Sequence, residues 1–153
     1  MFSLFGDHIT EFLQARNRAV IATVDEEGQP STSTIFYILT KRHELYFMTK
    51  SQTAKYKNIK KNYKVALTVV DNEKPQAVNV NGVAAEMVET SERDEILKQL
   101  IKLSYESLHD YAPIIKLHRG GFAVFKIVPH KAVFTDFTPP MGKVVEETKD
   151  FKS

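Results

Sequence analysis

The sequence contains no cysteine among its 153 residues. This absence excludes disulfide bonds, zinc sites built on thiolates and catalysis by a thiol nucleophile. A chain without disulfides is compatible with a reducing compartment, so we expect a cytoplasmic protein. A hydrophobic content of 42% and a charged content of 26% allow the chain to bury a core and remain soluble.

Long apolar runs are also missing. No stretch approaches the roughly 18 apolar residues that indicate a transmembrane helix, so we expect no membrane partner. The N-terminal MFSLFGDHITEF has no basic segment followed by an apolar one, which argues against a signal peptide. The five histidines show no ligand spacing such as HExxH, and no nucleophile elbow or Walker loop is present. The sequence therefore predicts no metal site.

The net charge of +2 conceals one strongly basic segment. Eight basic residues lie between Lys41 and Lys64, where Glu44 is the single acid, so this window carries +7 and the rest of the chain carries −5. An acidic remainder argues against a broad track for nucleic acid, and we expect no nucleic-acid partner. A local positive potential instead favours an anionic ligand.

Hydrophobic periodicity predicts one mainly β domain over residues 1–137, followed by a polar tail over residues 138–153. Turn residues join the strands tightly, which implies antiparallel pairing. Six or seven such strands with few helices suggest a barrel or a sandwich. The predicted helices are 7–17, 52–62 and 90–113, and the predicted strands are 19–24, 31–39, 45–48, 64–70, 77–88, 122–128 and 131–137.

A few residues predict where these elements begin, bend or end. Asp7 is the expected N-cap of the first helix, and Ser91 that of the long helix. Gly82 indicates a bulge or bend in the fifth strand. Pro113 marks the expected end of the long helix, and Pro129 is expected to separate the last two strands.

The stretch YFMTKSQTAKY places hydroxyl and ammonium groups at a predicted helix start. A phosphate monoester is stabilised by such donors and by the free N–H groups of a helix N-terminus. The alternative is that Ser51 or Thr49 only caps the helix and that the lysines keep the surface soluble. The candidate phosphate ligands are Thr49, Lys50, Ser51, Thr53 and Lys55.

Three stretches, AVIATVDEEGQPSTSTIFYI, ELYFMTKSQTAKYKNIKKNYKVALTVV and VNVNGVAAEMVE, carry a family resemblance. With the element order, they resemble the FMN-binding split-barrel family of pyridoxamine 5′-phosphate oxidase over about residues 19–137. The most specific part is Thr-x-x-x-[Ser/Thr]-x-Lys before a short helix, matched by Thr49, Thr53 and Lys55. The resemblance implies an antiparallel six- to seven-stranded split β-barrel. It also implies a homodimer with FMN between the two chains, its phosphate held by this segment.

The same resemblance implies where the flavin ring lies. A strand suits a flat amphipathic ring, because its backbone amides lie in one line and its side chains alternate. The alternative is a sheet-edge strand that begins in solvent. The candidate ring platform comprises Ser31, Thr32, Ser33, Thr34 and Ile35.

The fifth strand would lie near the same site in the family fold. Gln76 and Asn79 could therefore reach the flavin or a substrate. The alternative is that both are ordinary solvent-facing positions on a half-exposed strand.

Two cations found in relatives are missing from this chain. Relatives often carry an arginine near Ser33 or Thr34, and the oxidase proper tends to have another where Ala54 stands. Lys50 is the candidate replacement for one of them. The C-terminal stretch FTPPMGKVVEETKDFKS also lacks the arginines with which the oxidase proper grips its substrate phosphate. The resemblance thus implies an FMN-dependent oxidoreductase of unknown substrate rather than a vitamin B6 oxidase.

Other function classes stay open at this point. One is a flavin carrier or sensor without catalysis, or a relative that uses a deazaflavin or haem. Another is a small-barrel interaction module with no cofactor. The oxidoreductase hypothesis requires a small-molecule substrate or electron donor, and the cofactor would carry out the redox chemistry.

Overall fold

A computed structural model describes residues 5–107, 121–139 and 142–149 of the chain. This described part contains seven strands and three helices, in an order typical of a strand-rich domain. The elements are α1 (Asp7–Gln14), β1 (Arg18–Val24), β2 (Pro30–Leu39), β3 (Leu45–Lys50), α2 (Ala54–Lys61), β4 (Lys64–Val70), β5 (Gln76–Glu86), α3 (Ser91–Ser107), β6 (Phe122–Asp136) and β7 (Lys143–Lys149).

The strands form one antiparallel sheet that closes on itself. Their order is β3-β2-β1-β4-β5-β6-β7, and β3 also pairs with β6, which completes a barrel of six strands. The long strand β6 permits this closure, because its first half pairs with β3 and its second half with β7. The prediction of a mainly β, antiparallel split barrel is confirmed.

The barrel interior holds the main hydrophobic core. Side chains alternate between the two faces of each strand, so every second residue points inwards. The rings of Phe47 and Phe125 stack at the centre, with 5.3 Å between their centroids. Further interior side chains include Ile21, Ile35, Leu67 and Val80, all at most 3% exposed.

The helices cover the two ends and part of the outside of the barrel. α1 buries Ile9 and Leu13 at one end, where the Tyr37 hydroxyl donates a hydrogen bond to the Leu13 carbonyl at 2.8 Å. α2 contributes buried Ile59 to the same interior core. On the outside, α3 packs a second cluster, formed by Tyr46, Ile96, Leu100 and Val124. None of the described helices is long and apolar enough to span a membrane.

Helix α1 is capped differently from the prediction. Asp7 is its first residue and Gly6 its N-cap, without a side-chain hydrogen bond from the cap. Instead, Glu146 of β7 accepts a hydrogen bond from the His8 backbone N–H at 2.9 Å. The prediction of Asp7 as N-cap is therefore wrong, because a carboxylate distant in sequence satisfies the first turn. At α3, the Thr90 hydroxyl, rather than Ser91, accepts a hydrogen bond from the Arg93 backbone N–H at 3.2 Å.

Strand β6 runs without interruption through Pro129, contrary to the predicted break. Its pairing with β5 shifts register between Asn81 and Gly82, so the predicted irregularity at Gly82 is confirmed. A Cβ at Gly82 would lie only 2.3 Å from the Val128 carbonyl oxygen. The close approach lets β6 pass the proline while both halves stay paired.

The C-terminal region contains a strand that the sequence did not predict. Strand β7 lies within the segment expected to be a polar tail, and it extends the sheet beside β6. Its Val144 and Val145 are 54% and 41% exposed, so no buried alternation marks it in the sequence. The predicted end of the long helix at Pro113 lies outside the described residues. The domain boundary at residue 137 stays a prediction.

Candidate functional site

The corner between β3 and α2 is built around two threonines. Thr53 is the N-cap of α2: its hydroxyl accepts from the Tyr56 backbone N–H at 3.2 Å and donates to the Lys50 carbonyl at 2.9 Å. Thr49, only 4% exposed, lies 2.9 Å away, oxygen to oxygen. A hydroxyl has one proton and two acceptor positions, so Thr49 donates to Thr53, and neither hydroxyl keeps a proton for a further partner.

These bonds show which of the predicted phosphate ligands are used inside the protein and which are free to bind a ligand. The alternative that Ser51 or Thr49 caps the helix is wrong, because α2 begins at Ala54 and Thr53 is its N-cap. The Thr53 hydroxyl could reach a ligand only by giving up an internal bond. The Ser51 backbone N–H donates to the Gly121 carbonyl at 2.8 Å, while the Ser51 side chain is exposed. The backbone N–H groups of Ala54 and Lys55, in the first turn of α2, have no acceptor in the described part of the chain. The corner therefore offers backbone donors rather than threonine hydroxyls.

Lys55 is the charged group of this corner. It is half-buried, and burial lowers the pKa of its ammonium group. No carboxylate in residues 5–107, 121–139 or 142–149 forms an ion pair with it. By contrast, Lys60 and Lys61 on the same helix pair with Glu86 and Glu26. A desolvated ammonium group without a counter-ion is an arrangement that an anionic ligand would stabilise.

Lys50 points elsewhere. It shares the outer face of β3 with Tyr46, and its Nζ lies 5.8 Å from the ring centroid of Phe122, directly opposite on β6. Arg93 of α3 reaches the same place, where its Nη2 donates to the Phe122 carbonyl at 2.5 Å. Lys50 thus faces the α3 side of β3, whereas Thr49 faces the barrel interior. Sequence reasoning missed Arg93, which no spacing links to β6.

The start of β2 is joined to α2 by a polar cluster. Asn58 of α2 donates from Nδ2 to Thr23 Oγ1 at 3.1 Å and to Ser31 Oγ at 3.3 Å. The two hydroxyl oxygens are themselves 3.3 Å apart. The structure therefore brings Ser31 of the predicted ring platform to the helix that carries Lys55. Asn58 was missed by sequence reasoning, since a lone asparagine on a polar helix carries no pattern.

The predicted ring platform on β2 divides between two faces of the sheet. Ser31, Ser33 and Ile35 lie opposite the inward-facing residues of β1, and Ile35 is buried in the core. Thr32 and Thr34 point to the outer face and are exposed. The five consecutive side chains therefore cannot all contact one ring from one side.

Thr32 and Thr34 belong to an uncovered surface that we call the open sheet face. It consists of two cross-strand rows on β2, β1, β4 and β5, each about 14 Å long at the usual strand spacing. Both rows have polar ends and a small or aliphatic residue at β1, and no described helix packs on them. The rows are Thr34–Val20–Thr68–Asn79 and Thr32–Ala22–Ala66–Asn81.

The two candidate residues of β5 separate in the structure. Asn79 lies on the open sheet face, where the Thr68 hydroxyl donates to its Oδ1 at 2.5 Å. Gln76 belongs to the other face of β5 and donates to Asp136 Oδ2 at 3.1 Å. The Thr138 hydroxyl and the Gln76 amide lower the pKa of Asp136. The structure therefore groups Asn79, but not Gln76, with Thr32 and Thr34.

A cleft of about 530 Å³ opens at one end of the open sheet face. Its walls include Thr34, Val20 and Thr68 from the face, Arg16 from the α1–β1 connection and Arg18 from the start of β1. Arg16 forms an ion pair with Asp71, whereas the Arg18 guanidinium lies 5.7 Å from the Phe36 ring centroid. Arg18 thus brings a cation beside β2 from the neighbouring strand. The described residues contain no group of three His, Cys, Asp or Glu side chains arranged to hold a metal ion.

Solved structures with the same fold carry different ligand descriptions in their names. Campylobacter jejuni ChuZ matches with a TM-score of 0.72 at 16% identity, over 91% of this chain and 58% of ChuZ. HutZ, a heme storage protein of Vibrio cholerae, matches with a TM-score of 0.61 at 21% identity, over 82% and 90% of the two chains. An FMN-binding protein of Nostoc punctiforme, related to pyridoxamine 5′-phosphate oxidase, gives 0.64 at 15% identity, over 90% and 86%. At these identities the similarity shows the fold.

The sequence itself establishes the family. No curated protein matches the chain. The family profile described as pyridoxamine 5′-phosphate oxidase matches residues 5–136, which is most of the chain and the whole of the closed barrel. The chain belongs to the pyridoxamine 5′-phosphate oxidase-like family of split-barrel proteins.

Proposed function

We propose that this protein binds FMN, with the phosphate at the start of α2. The observation that carries the proposal is Lys55, a half-buried ammonium group without a carboxylate partner among the described residues. The N–H groups of Ala54 and Lys55, which have no acceptor among those residues, add hydrogen-bond donors and the positive end of the helix dipole. The exposed Ser51 hydroxyl is a further donor, while Thr49 and Thr53 fix the shape of the corner.

The open sheet face suits a flat ring. Its outward side chains are small, and hydroxyl and amide groups stand at both ends of each row. Thr32, Thr34 and Asn79 would supply polar contacts at the edges of the ring, and Val20 an apolar contact beneath it. Ser31 directly precedes Thr32 of this face on β2 and accepts a hydrogen bond from Asn58 of α2, so we expect the phosphate corner and the ring surface to be neighbours.

A ring on this face needs a cover on its second side. The exposed aliphatic groups of Val20 and Val70, 40% and 58% exposed, favour protein contact rather than water. A second copy of the chain would provide that contact, and the flavin would then lie between two protomers. We therefore propose a homodimer formed through the open sheet face.

An oxidoreductase activity follows from this cofactor. When bound, a flavin supplies hydride or electron transfer through its N5 position. The residues of this chain would bind the phosphate, orient the ring and exclude water from one of its faces. The cleft beside Thr34 and Arg18 is open enough to admit a small-molecule substrate or electron donor.

Haem is the second candidate ligand, because a structure of the same fold is named as a heme storage protein. A haem would occupy the same broad face, but it has no phosphate monoester to satisfy Lys55. FMN and haem therefore differ in whether the ligand has a phosphate that contacts Lys55 at the corner of α2.

The test is a pair of titrations of the purified full chain, with FMN and with haemin, followed by absorption and flavin fluorescence. We expect saturable FMN binding, and Lys55→Ala should reduce the FMN affinity by roughly 1.5–3 kcal/mol, as for a charged hydrogen bond. Lys57→Ala, which removes an exposed lysine from the same helix, is the matched control. Saturable binding of haemin with no binding of FMN would replace the proposal by its alternative.

A further inference from the structure

The polar cluster of Asn58, Thr23 and Ser31, between α2 and β2, leaves one hydroxyl proton without an acceptor inside the cluster. The Asn58 amide nitrogen can only donate, so Thr23 Oγ1 and Ser31 Oγ both accept from it. Each hydroxyl then still has one proton to place and one further position at which to accept. The two oxygens lie within hydrogen-bond distance of each other.

Burial decides which hydroxyl donates to the other. Thr23 is 1% exposed, and in the described part of the chain Ser31 Oγ is the acceptor within reach of its hydroxyl. Leaving the Thr23 proton unpaired would carry the penalty of a buried unsatisfied donor. Thr23 therefore donates to Ser31, whose oxygen then accepts from both Thr23 and Asn58. The exposed Ser31 hydroxyl keeps its own proton for a partner outside the cluster.

The free proton belongs to the same region as the proposed anion site. Asn58 follows Lys55 by three residues on α2, so the two side chains are neighbours on one face of the helix. We infer that Asn58 is a positioning residue that holds Ser31 as an outward donor to an oxygen atom of the ligand. This inference rests on the proposed FMN site. With its proton directed outwards, Ser31 makes the start of β2 specific for a hydrogen-bond acceptor of the ligand, either a phosphate or a ribityl oxygen.

A double-mutant cycle tests the inference on the purified full chain, with FMN and riboflavin as probes. Ser31→Ala and Asn58→Ala should each lower the FMN affinity by about tenfold, the value of one hydrogen bond to a charged group. The double variant should lose no more affinity than the single variant with the greater loss, because both changes remove the same bond. Asn58→Asp should lose more, since a carboxylate draws the Ser31 proton inwards and places a negative charge beside Lys55.

The control is Asn62→Ala, an amide on the same segment whose Oδ1 accepts from the Lys64 backbone N–H. It should leave the FMN affinity unchanged. A loss for FMN but not riboflavin would place the Ser31 donor at the phosphate, and an equal loss for both would place it at the ribityl chain.

Two results would overturn the inference while leaving the FMN site intact. One is a Ser31→Ala variant with wild-type affinity, which is informative because this exposed substitution leaves the β2 pairing unchanged. The other is a double variant whose loss is the product of the single losses. A wild-type chain that binds no FMN would overturn both the inference and the proposed function.

Discussion

At the scale of single residues, Lys55 links stability to binding. An ammonium group that loses water without gaining a carboxylate weakens the folded state. The neighbouring lysines of α2 avoid this cost, because they are paired or exposed. A side chain that is unfavourable in the empty protein and favourable with an anion is the expected property of a binding residue.

Replacing Lys55 by methionine should therefore stabilise the protein in the absence of ligand. The change keeps the aliphatic stem and removes a charge that has no carboxylate partner in the described part of the chain. Stabilising substitutions of this kind are worth roughly 0.5–2 kcal/mol. The free energy of unfolding from urea titrations measures the effect, with Lys57→Met as the control on the same helix. A destabilised Lys55→Met variant would show that the ammonium group has a structural partner.

The lowered pKa of Lys55 also predicts a pH dependence. Because the folded pKa lies below the ordinary 10.5, the unfolded chain binds more protons between these two values. Stability without ligand should therefore rise with pH across that window, while FMN affinity falls as the ammonium group loses its proton. Lys55→Arg, whose guanidinium stays charged, should keep its affinity over the same range. Parallel pH profiles of FMN affinity for wild type and Lys55→Arg would contradict this assignment.

The sequence could indicate Lys55 but not the role of every neighbour. Its position follows from a spacing of hydroxyl and ammonium groups at a helix start, which is local information. The sequence does not show that the Thr53 hydroxyl caps α2 or that Lys50 lies beside Phe122. Both facts depend on which face of its element each residue occupies. Asn58 and Arg18 act through strands far away in sequence, so neither could be found without the strand pairing.

At the scale of elements, the passage of β6 beside Gly82 is tightly constrained by backbone atoms. A methyl group there would meet the Val128 carbonyl oxygen at 2.3 Å and the Pro129 Cα at 2.9 Å. Both are backbone atoms, so relief requires the strands to move apart. The continuity of β6, on which barrel closure depends, therefore rests on a glycine at this position.

Gly82→Ala should cost about 1–3 kcal/mol of stability, the usual range for overpacking. Gly28→Asn is the comparison, because no atom of the described residues beyond its chain neighbours lies within 4 Å of the added Cβ. Asparagine also tolerates the φ of +84° better than most residues other than glycine do. Urea denaturation of both variants measures the difference. Equal stabilities would mean that the β5–β6 register can shift without loss.

Most elements could be predicted because buried alternation and turn residues are visible in the sequence. β4, for instance, alternates buried residues with partly or fully exposed ones, and it begins and ends where predicted. β7 could not be predicted, since an exposed edge strand has no buried face to impose a pattern. The unbroken β6 was missed for the opposite reason: Pro129 signals a break, and its cross-strand neighbour Gly82 removes the need for one.

At the scale of the whole molecule, the open sheet face determines the proposed assembly. α1 and α2 close the barrel ends, and α3 packs on β3, β6 and the Ile38 end of β2. The described helices therefore leave β1, β4, β5 and the start of β2 uncovered on the outside. A face with small side chains permits close approach of a second, identical face. The cofactor and the second protomer would thus be bound by the same surface.

Val20→Lys should weaken the dimer at least roughly tenfold, since an unpaired buried charge costs more than 1.4 kcal/mol. FMN affinity should fall with dimerisation. Val88→Lys, which places the same charge at a site that is 76% exposed and away from this face, should leave both unchanged. Sedimentation velocity over a concentration series measures the association. A wild-type monomer, or a Val20→Lys variant that associates normally, would contradict the proposed interface.

The most direct test of the account compares FMN with riboflavin, which lacks only the phosphate, in wild type and Lys55→Met. If the corner at α2 binds the phosphate, wild type should prefer FMN by at least about tenfold. Lys55→Met should lose most of that preference while its riboflavin affinity changes little. Equal wild-type affinities for the two flavins, or a preference for FMN that survives in Lys55→Met, would show that Lys55 does not hold the phosphate.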